Sequence, residues 1–236
     1  MEKKATLALR YAFPKTIPVM VGYVFLGMAY GILMRVNGFG ILWTLAGSLL
    51  VYAGSLQYVG VTLLASAANP VYAFMMGLMI NARHLFYGVS MLGKYRDIKK
   101  FKAYLIFALT DETFSVVCNE KVPRGLDEGW VYLWISALNQ CYWVLGSVAG
   151  SLVGSMIRFN TKGLDFALTA LFVVIFTDQW KNQNDHKPAL AGVAASVACV
   201  IVFGADSFIV PAMVLILAIL SVRYQRSVKR GVKDIG

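Results

Sequence analysis

The sequence predicts an all-α fold: a polytopic helical integral membrane protein with about six to eight transmembrane segments, some of them broken or re-entrant. Hydrophobic residues make up 58% of the 236 residues and charged residues only 14%. Soluble domains average roughly 45–50% apolar and about 25% charged residues. The mean hydropathy is +0.65. The basic residues also gather at the ends of long apolar runs, as they do in cytoplasmic loops.

The apolar runs set the organisation of the chain. A helix needs about 20 apolar residues to cross a hydrocarbon core of about 30 Å. Candidate runs lie at 16–36, 39–66, 70–93, 103–119, 130–154, 164–180, 188–204 and 207–223, and several of the later ones are short. We therefore expect one membrane domain over 1–236, with a basic cytoplasmic segment at 1–15, a transmembrane core at 16–223 and a basic tail at 224–236.

The net charge of +10 does not indicate a nucleic-acid partner. Most of the 22 basic residues flank apolar runs, which is the pattern of loops that face anionic lipid, so the bilayer is the expected partner. The three cysteines form no CxxC pair, and we expect no metal site and no cofactor. The basic clusters are Lys3, Lys4, Arg10 and Lys15; Lys94, Arg96, Lys99, Lys100 and Lys102; and Arg223, Arg226, Lys229, Arg230 and Lys233.

Local signals divide the runs into helices. Asn69 before Pro70 predicts a helix start, with Asn as the cap and Pro in the first turn. The 39–66 run is long for one span and contains Gly54-Ser55. This pair predicts either a helix break at membrane depth or a close helix crossing through small residues.

Charge then constrains the topology. If the N-terminus is inside and all eight runs cross, the Lys94–Lys102 cluster lies outside, against the positive-inside rule. A re-entrant 39–66 run returns this cluster to the inside. One later run, 188–204 or 207–223, must then also fail to cross to bring the tail inside. Six crossings and two interrupted segments place all three basic clusters on the inside. Inverted-repeat transporters show such an arrangement, with one interrupted segment in each half.

Ionisable residues inside apolar runs are the strongest functional signal, because each costs roughly 2.5–3.5 kcal/mol at the bilayer centre. Arg83 and His84 interrupt the 70–93 run, and Asp111 and Glu112 interrupt the 103–119 run. We expect Arg83 to pair with one of the two carboxylates. The group is either an ion-pair staple between helices or a substrate or proton path, and the presence of two carboxylates beside a histidine favours the path.

Further polar side chains complete the expected pathway. His84 is the one group here whose ordinary pKa lies near neutrality, so it is a candidate proton carrier. A half-helix that starts at Ser55 would present free N–H groups that suit a carboxylate. The candidate pathway residues are Gly54, Ser55, Gln57, Tyr58, Asn81, Arg83, His84, Tyr87, Thr110, Asp111 and Glu112, with Asn139, Gln140 and Asp178 as secondary candidates.

The same polar segments resemble the AzlC family, the large subunit of bacterial branched-chain amino acid exporters, over about residues 13–222. The matching pieces are PVMVGYVFLGMAYG from Pro18, VYAGSLQYVGVTLL from Val51, NARHLFYGVS from Asn81 and LTDETFSV from Leu109. The last two are specific. The second half, from about Trp130, matches in hydropathy more than in motif.

The resemblance implies a bacterial inner-membrane transporter that exports leucine, isoleucine, valine and similar neutral amino acids, driven by the proton gradient. It also implies a small hydrophobic partner subunit of the AzlD type. The absence of a GxxxxGK[ST] motif argues against a built-in ATPase, and no spacing suggests an enzyme. Two other classes stay open: a membrane subunit that docks to a separate ATPase, and a structural membrane protein whose charges only join helices.

Overall fold

The computed structural model describes residues 2–156, 173, 176–177, 180–181, 185–205 and 208–233, and its regular elements in these residues are all helices. The all-α class is therefore confirmed. The chain divides into two compact units, Met1–Leu171 and Phe172–Gly236. The described helices of the first unit are α1 (Glu2–Val36), α2 (Ile41–Ala46), α3 (Gly54–Ala65), α4 (Pro70–Tyr95), α5 (Lys102–Phe107), α6 (Asp111–Asn119) and α7 (Glu128–Met156), and a π-helical turn, Gly47–Val51, follows α2.

Helices α1 and α7 run parallel and form the centre of the first unit. Their contacts advance together along both helices: the Trp134 indole donates to the Ala5 carbonyl, and Thr16 meets the Tyr142 hydroxyl at 3.1 Å. Further along, glycines bring the two backbones together, because a Cβ at Gly31 would lie 2.0 Å from the Ser147 carbonyl oxygen. Such close crossings through small residues are typical of helices packed in membranes.

Helix α4 runs antiparallel to α1. Arg83 of α4 lies at the level of Tyr23 of α1, since both contact the start of α6. Eleven residues further along α4, Lys94 donates to the carbonyls of Val117 and Glu120, and Glu120 pairs with Lys15 near the start of α1. We call this end of the unit the basic end. At about 1.5 Å per residue, α1, α4 and α7 each exceed the roughly 30 Å of a hydrocarbon core.

The segment between α1 and α4 is a helical hairpin, which we call the first hairpin (41–65). It starts from the end of α1 opposite the basic end, where the Phe39 N–H bonds the Met34 carbonyl. Its tip lies halfway along the unit, with Gly54 against the Trp143 ring. Helix α3 then returns and joins the start of α4 through a short turn at 66–69. The 39–66 run is thus interrupted, as predicted, and its two parts form a hairpin.

The segment between α4 and α7 is a second hairpin (102–119), and it enters from the basic end. Phe101 stacks edge-on with Trp130 near the start of α7, at 4.8 Å between centroids. The chain reverses at Ala108–Thr110, and α6 returns to the basic end, where its last carbonyls accept from Lys94. The expectation of one helix over 103–119 is wrong: the run is two short helices. The second interrupted run is therefore this one, rather than 188–204 or 207–223, which are continuous helices.

The two hairpins explain the charge distribution of the first unit. The start of α1 and the Lys94–Lys102 cluster lie at the same end because one re-entrant hairpin separates two full-length helices. Their common location agrees with the positive-inside rule. The predicted helix start at Asn69 is also confirmed, since its side chain accepts from the Val71 N–H at 2.8 Å. Helix α1 begins earlier than the predicted 16–36 run, so residues 2–15 are helical.

The second unit contains α8 (Lys187–Phe203) and α9 (Ile209–Lys233), two helices that pack on each other. Arg223 of α9 pairs with Asp185, which also caps α8 by accepting from the Lys187 N–H. The predicted 164–180 run lies largely outside the described residues.

Several helices present apolar side chains outward. On α4, Val71, Leu85 and Val89 are each about two-thirds or more exposed. Soluble proteins rarely expose apolar surfaces of this extent, whereas lipid-facing helices require them. Within the described residues, one helix, Lys4–Val36, has both the length and the hydropathy that identify a membrane span from composition.

Candidate functional site

The tips of the two hairpins meet near the middle of the first unit. The Tyr52 ring, at the first tip, lies 6.4 Å from the Phe107 ring at the second. Each tip is followed directly by the first turn of a helix, α3 or α6, so two helix starts face the same region. This position, at the level of Tyr23 on α1, is where most of the predicted pathway residues gather.

The first tip is an abrupt turn rather than a smooth bend. Tyr52 has φ 40°, in the left-handed region that non-glycine residues seldom adopt, and Ala53 is extended. Gly54 then begins α3, and a Cβ there would lie 3.3 Å from the Trp143 ring, tighter than ordinary packing. The predicted helix break is therefore confirmed, but it lies at Tyr52 and Ala53, and Gly54-Ser55 are the first residues of the helix that follows. Strained residues of this kind persist where the surrounding packing over-determines them, commonly at functional sites.

Arg83 joins the two helix starts. Its Nη1 lies 2.9 Å from Asp111 Oδ2, and its Nη2 donates to Ser55 Oγ at 2.6 Å. The predicted ion pair is thus formed with Asp111 rather than with Glu112. The side chains of both partners are about one-fifth exposed. The pair is therefore partly accessible, which a site that exchanges ligands requires.

The second tip is capped by its own residues. Thr110 is the N-cap of α6, and its hydroxyl oxygen accepts from the Thr113 N–H. Glu112 points toward α1, where the Tyr23 hydroxyl donates to Glu112 Oε2 at 2.7 Å and meets the Thr110 hydroxyl at 2.6 Å. Asn139 of α7 donates to the Thr113 hydroxyl at 3.1 Å. Three helices therefore converge on the acidic turn.

The two helix starts carry opposite charge. The first turn of α3 contains no acidic residue and no side-chain cap, and Arg83 lies beside it. Its N–H groups and the positive end of the helix dipole add to the guanidinium charge. The first turn of α6 contains Asp111 and Glu112, which the same dipole stabilises. A helix start beside a cation and a helix start with two carboxylates thus lie side by side.

His84 and Tyr87 lie next to this centre on α4. The His84 ring nitrogen Nδ1 lies 3.2 Å from the Asn81 carbonyl oxygen, and the ring packs edge-on against Tyr87. Tyr87 stacks on Phe114 of α6 at 4.6 Å. The Asn81 side-chain oxygen is buried. These residues hold α4 against α6, while the hydrogen bond of His84 stays within its own helix.

Gln57 and Tyr58 extend the site along α3. The Tyr58 hydroxyl donates to the Leu26 carbonyl of α1 at 2.8 Å. Gln57 is 4% exposed, and neither atom of its amide group makes a hydrogen bond of good geometry within the described residues, although the Tyr30 hydroxyl is close. Such a buried polar group needs a partner. Gln57 is therefore the candidate that most directly suggests contact with water or substrate.

The three secondary candidates lie in different places. Asn139 reaches the acidic turn through Thr113. Gln140 lies at the side of both tips: it accepts from the Tyr104 hydroxyl at 2.7 Å and donates to the Leu49 carbonyl at 3.3 Å. Asp178 lies outside the described residues.

Three site residues were not among the predicted candidates. Tyr23 and Thr113 bond directly to the acidic turn, and Trp143 packs against Gly54 and Tyr23. Tyr23 lies in a glycine-rich apolar piece whose sequence resembles ordinary helix packing. Thr113 lies in the sequence Thr110-Asp111-Glu112-Thr113, and the signal that could have identified it is the capping pattern of a helix that starts after Thr110. Trp143 is one of several aromatic residues that composition assigns to packing or lipid contact.

The chain is similar to known membrane proteins over nearly all of its length. The family model described as AzlC protein matches residues 18–157. The Bacillus subtilis branched-chain amino acid transport protein AzlC is 47% identical over 94% of this chain and 88% of its own length. An uncharacterised membrane protein of Haemophilus influenzae is 40% identical over 92% of this chain and 90% of its own, and the Escherichia coli inner membrane protein YgaZ is 26% identical over 85% and 82%. No solved structure matches significantly.

Proposed function

The chain belongs to the AzlC family, and from this premise we propose that it exports branched-chain and similar neutral amino acids as the large subunit of a proton-coupled, two-component exporter. The Bacillus subtilis relative, named as a branched-chain amino acid transport protein, supports the substrate class. The observation that carries the proposal is the pair of oppositely charged helix starts joined by Arg83.

A zwitterionic amino acid matches this pair of helix starts. Its carboxylate binds Arg83 and the free N–H groups at the start of α3, in place of part of the Ser55 and Asp111 contacts. Its ammonium group binds Asp111 in the acidic first turn of α6, and the neighbouring Glu112 is not a substrate ligand. Discontinuous helices in transporters bind anionic substrate groups with their N-termini in the same way. Binding of the substrate therefore releases Arg83 from Asp111 without leaving either charge uncompensated.

The apolar side chain of the substrate lies against aromatic residues. The Tyr23 and Trp143 rings pack edge-on at 5.3 Å, and Tyr30 stacks on Trp143 at 6.2 Å. These rings form an apolar wall beside the first tip. A hydrophobic surface of this kind discriminates weakly between similar aliphatic side chains, by roughly 1–3 kcal/mol per methylene. We therefore expect leucine, isoleucine and valine to share the site.

The two hairpins provide access from opposite sides. The first enters from the end opposite the basic end, and the second enters from the basic end. Each contributes one helix start to the centre. In inverted-repeat transporters, one repeat rocks against the other around the fixed site, which opens the site to each side in turn. Helices α1 and α4 with their following hairpins are the two halves of that arrangement here.

The complete chain crosses the inner membrane six times in this proposal. Helices α1, α4 and α7 cross, the two hairpins do not, and the 164–180, 188–204 and 207–223 runs supply three further crossings. Both the basic start and the basic tail then lie in the cytoplasm, as the positive-inside rule requires.

Cysteine labelling tests this topology. In a variant without Cys118, Cys141 and Cys199, we introduce single cysteines by Lys99→Cys, Ala67→Cys and Arg230→Cys. An impermeant maleimide should label only the Ala67→Cys variant in intact cells and all three after permeabilisation. Labelling of Lys99→Cys from outside would contradict the re-entrant assignment of the first hairpin.

Transport itself is tested in proteoliposomes. The purified chain is reconstituted with and without a small hydrophobic subunit of the AzlD type, and the vesicles are loaded with labelled leucine, valine or methionine. An imposed pH gradient should accelerate efflux, and the acceleration should require the small subunit. Flux that needs ATP and a nucleotide-binding subunit, or no flux with the partner present, would contradict the proposal.

A further inference from the structure

A continuous row of hydroxyl groups leads from Glu112 into the protein. Glu112 Oε2 lies 2.7 Å from the Tyr23 hydroxyl, Tyr23 lies 2.6 Å from the Thr110 hydroxyl, and Thr110 lies 3.0 Å from the Thr113 hydroxyl. Asn139 donates to the Thr113 oxygen at the inner end. Tyr23, Thr110, Thr113 and Asn139 are all buried, whereas Glu112 is partly accessible.

The Tyr23 hydroxyl suits both protonation states of Glu112. When Glu112 is ionised, Tyr23 donates to its carboxylate, as in the structure. When Glu112 carries a proton, the carboxyl donates to the Tyr23 oxygen, Tyr23 turns to donate to the Thr110 oxygen, and Thr110 donates to Thr113 as it does in the structure. Glu112 therefore keeps a hydrogen-bond partner in both states, which matters because an unsatisfied buried polar group costs about 1–3 kcal/mol.

The two carboxylates of the turn differ in this respect. Asp111 is held by a cation, since Arg83 Nη1 lies 2.9 Å away. This carboxylate is the counter-charge of Arg83. The Glu112 side chain instead accepts a hydrogen bond from the neutral Tyr23 hydroxyl. A carboxylate bonded to a hydroxyl can accept a proton without breaking an ion pair.

We infer that Glu112 is the residue that carries the coupling proton, and that Tyr23, Thr110 and Thr113 are positioning residues that stabilise both of its states. A proton from water converts the Glu112 carboxylate to a carboxyl, the Tyr23 hydroxyl rotates and keeps its own proton, and the return step releases the proton to water. The titratable and charged groups that face Glu112 are Tyr23 of α1, Tyr52 of the first tip, Arg83 and Tyr87 of α4, and Asp111 of the second hairpin. This inference rests on the proposed transport function and assigns a task within it.

The test separates proton coupling from substrate exchange. Proteoliposomes with the small subunit are assayed for efflux of labelled leucine under a pH gradient, for leucine–leucine counterflow at equal pH, and for proton uptake with an internal pH-sensitive dye. In Glu112→Gln, the ratio of efflux with and without the gradient should fall to about 1, while counterflow stays within about twofold of the unmodified protein. Leucine-driven proton uptake should disappear.

Tyr23→Phe provides the second variant, and it stays informative if Glu112→Gln does not fold. The Tyr23 hydroxyl bonds the charged carboxylate more strongly than the neutral carboxyl. Its loss therefore favours the protonated carboxyl, and the midpoint of the pH profile for gradient-driven efflux should move up by about one unit. A merely structural tyrosine would lower the rate at every pH equally. Tyr142→Phe is the matched control, because it removes another buried hydroxyl contact between α1 and α7, with Thr16, outside the site.

The outcomes distinguish a failure of the proton assignment from a failure of the proposed transport function. Gradient-dependent efflux that persists in Glu112→Gln overturns the assignment of the proton to Glu112. The assignment is also overturned if Asp111→Asn loses gradient-dependent efflux while it keeps counterflow. Loss of counterflow in a folded Glu112→Gln protein makes Glu112 a substrate ligand and also overturns it. No leucine flux in the unmodified protein contradicts the transport function itself.

Discussion

Arg83→Gln is expected to abolish leucine transport, including counterflow, and to weaken leucine binding on the order of 100-fold or more. The guanidinium is the shared partner of Ser55 and Asp111 and the proposed ligand of the substrate carboxylate. Removal of one member of a buried, hydrogen-bonded charge pair costs about 2–5 kcal/mol, and each 1.4 kcal/mol is tenfold in affinity. Binding is measured with labelled leucine on the purified protein, beside counterflow in vesicles.

Charge reversal separates a substrate ligand from an ion-pair staple. The double variant Arg83→Asp with Asp111→Arg keeps both charges between α4 and α6 but moves the cation away from the start of α3. If Arg83 only joins helices, the double variant should recover transport. If Arg83 binds the substrate carboxylate beside α3, stability should recover and transport should not. Recovery of leucine flux in a stable double variant would remove Arg83 from the substrate site.

Gly31→Ala is expected to prevent the packing of α1 on α7 and to give the largest loss of stability. A Cβ at Gly31 would lie 2.0 Å from the Ser147 carbonyl, and one at Gly150 would lie 2.1 Å from the Met28 carbonyl. Both obstacles are helix backbone, which cannot rotate away as a side chain can. We expect a cost of about 3 kcal/mol or more, measured as a lower midpoint of thermal unfolding in detergent and a loss of monodisperse protein.

The matched control is Gly22→Ala on the same helix. No heavy atom lies within 4 Å of the position that its Cβ would take, and alanine favours helix by up to about 1 kcal/mol over glycine. Its unfolding midpoint should therefore stay equal or rise. A Gly31→Ala protein as stable as the Gly22→Ala protein would show that α1 and α7 do not pack this closely.

The first hairpin could be predicted because several independent signals agreed. The 39–66 run is too long for one span, and Gly54-Ser55 permits a break. In addition, the Lys94–Lys102 cluster lies inside only if one of the three apolar runs before it does not cross the membrane. The helix start at Asn69 followed from capping chemistry alone. These signals are local or depend on counting charges, so they can be read from the sequence without knowledge of the tertiary packing.

The second hairpin could not be predicted in the same way. Its tip, Ala108–Thr110, contains neither glycine nor proline, and the 103–119 run reads as one apolar segment interrupted only by polar residues at 110–113. The turn is stabilised by the Thr110 cap and by contacts with Tyr23 and Asn139 from helices distant in sequence. Tertiary contacts therefore decide that this run is broken, and they also place Asp111 and Glu112 in a first helical turn.

The sequence by itself determined the chemistry of this protein. Its composition requires a lipid environment for the helices, and the cost of burying charge makes Arg83, Asp111 and Glu112 significant wherever they lie. Only the tertiary structure decided which carboxylate pairs with Arg83 and which one meets a tyrosine. The reason is geometric: adjacent residues on a helix project about 100° apart, so the neighbours that each carboxylate meets depend on how α1, α4 and α7 pack around the two hairpin tips.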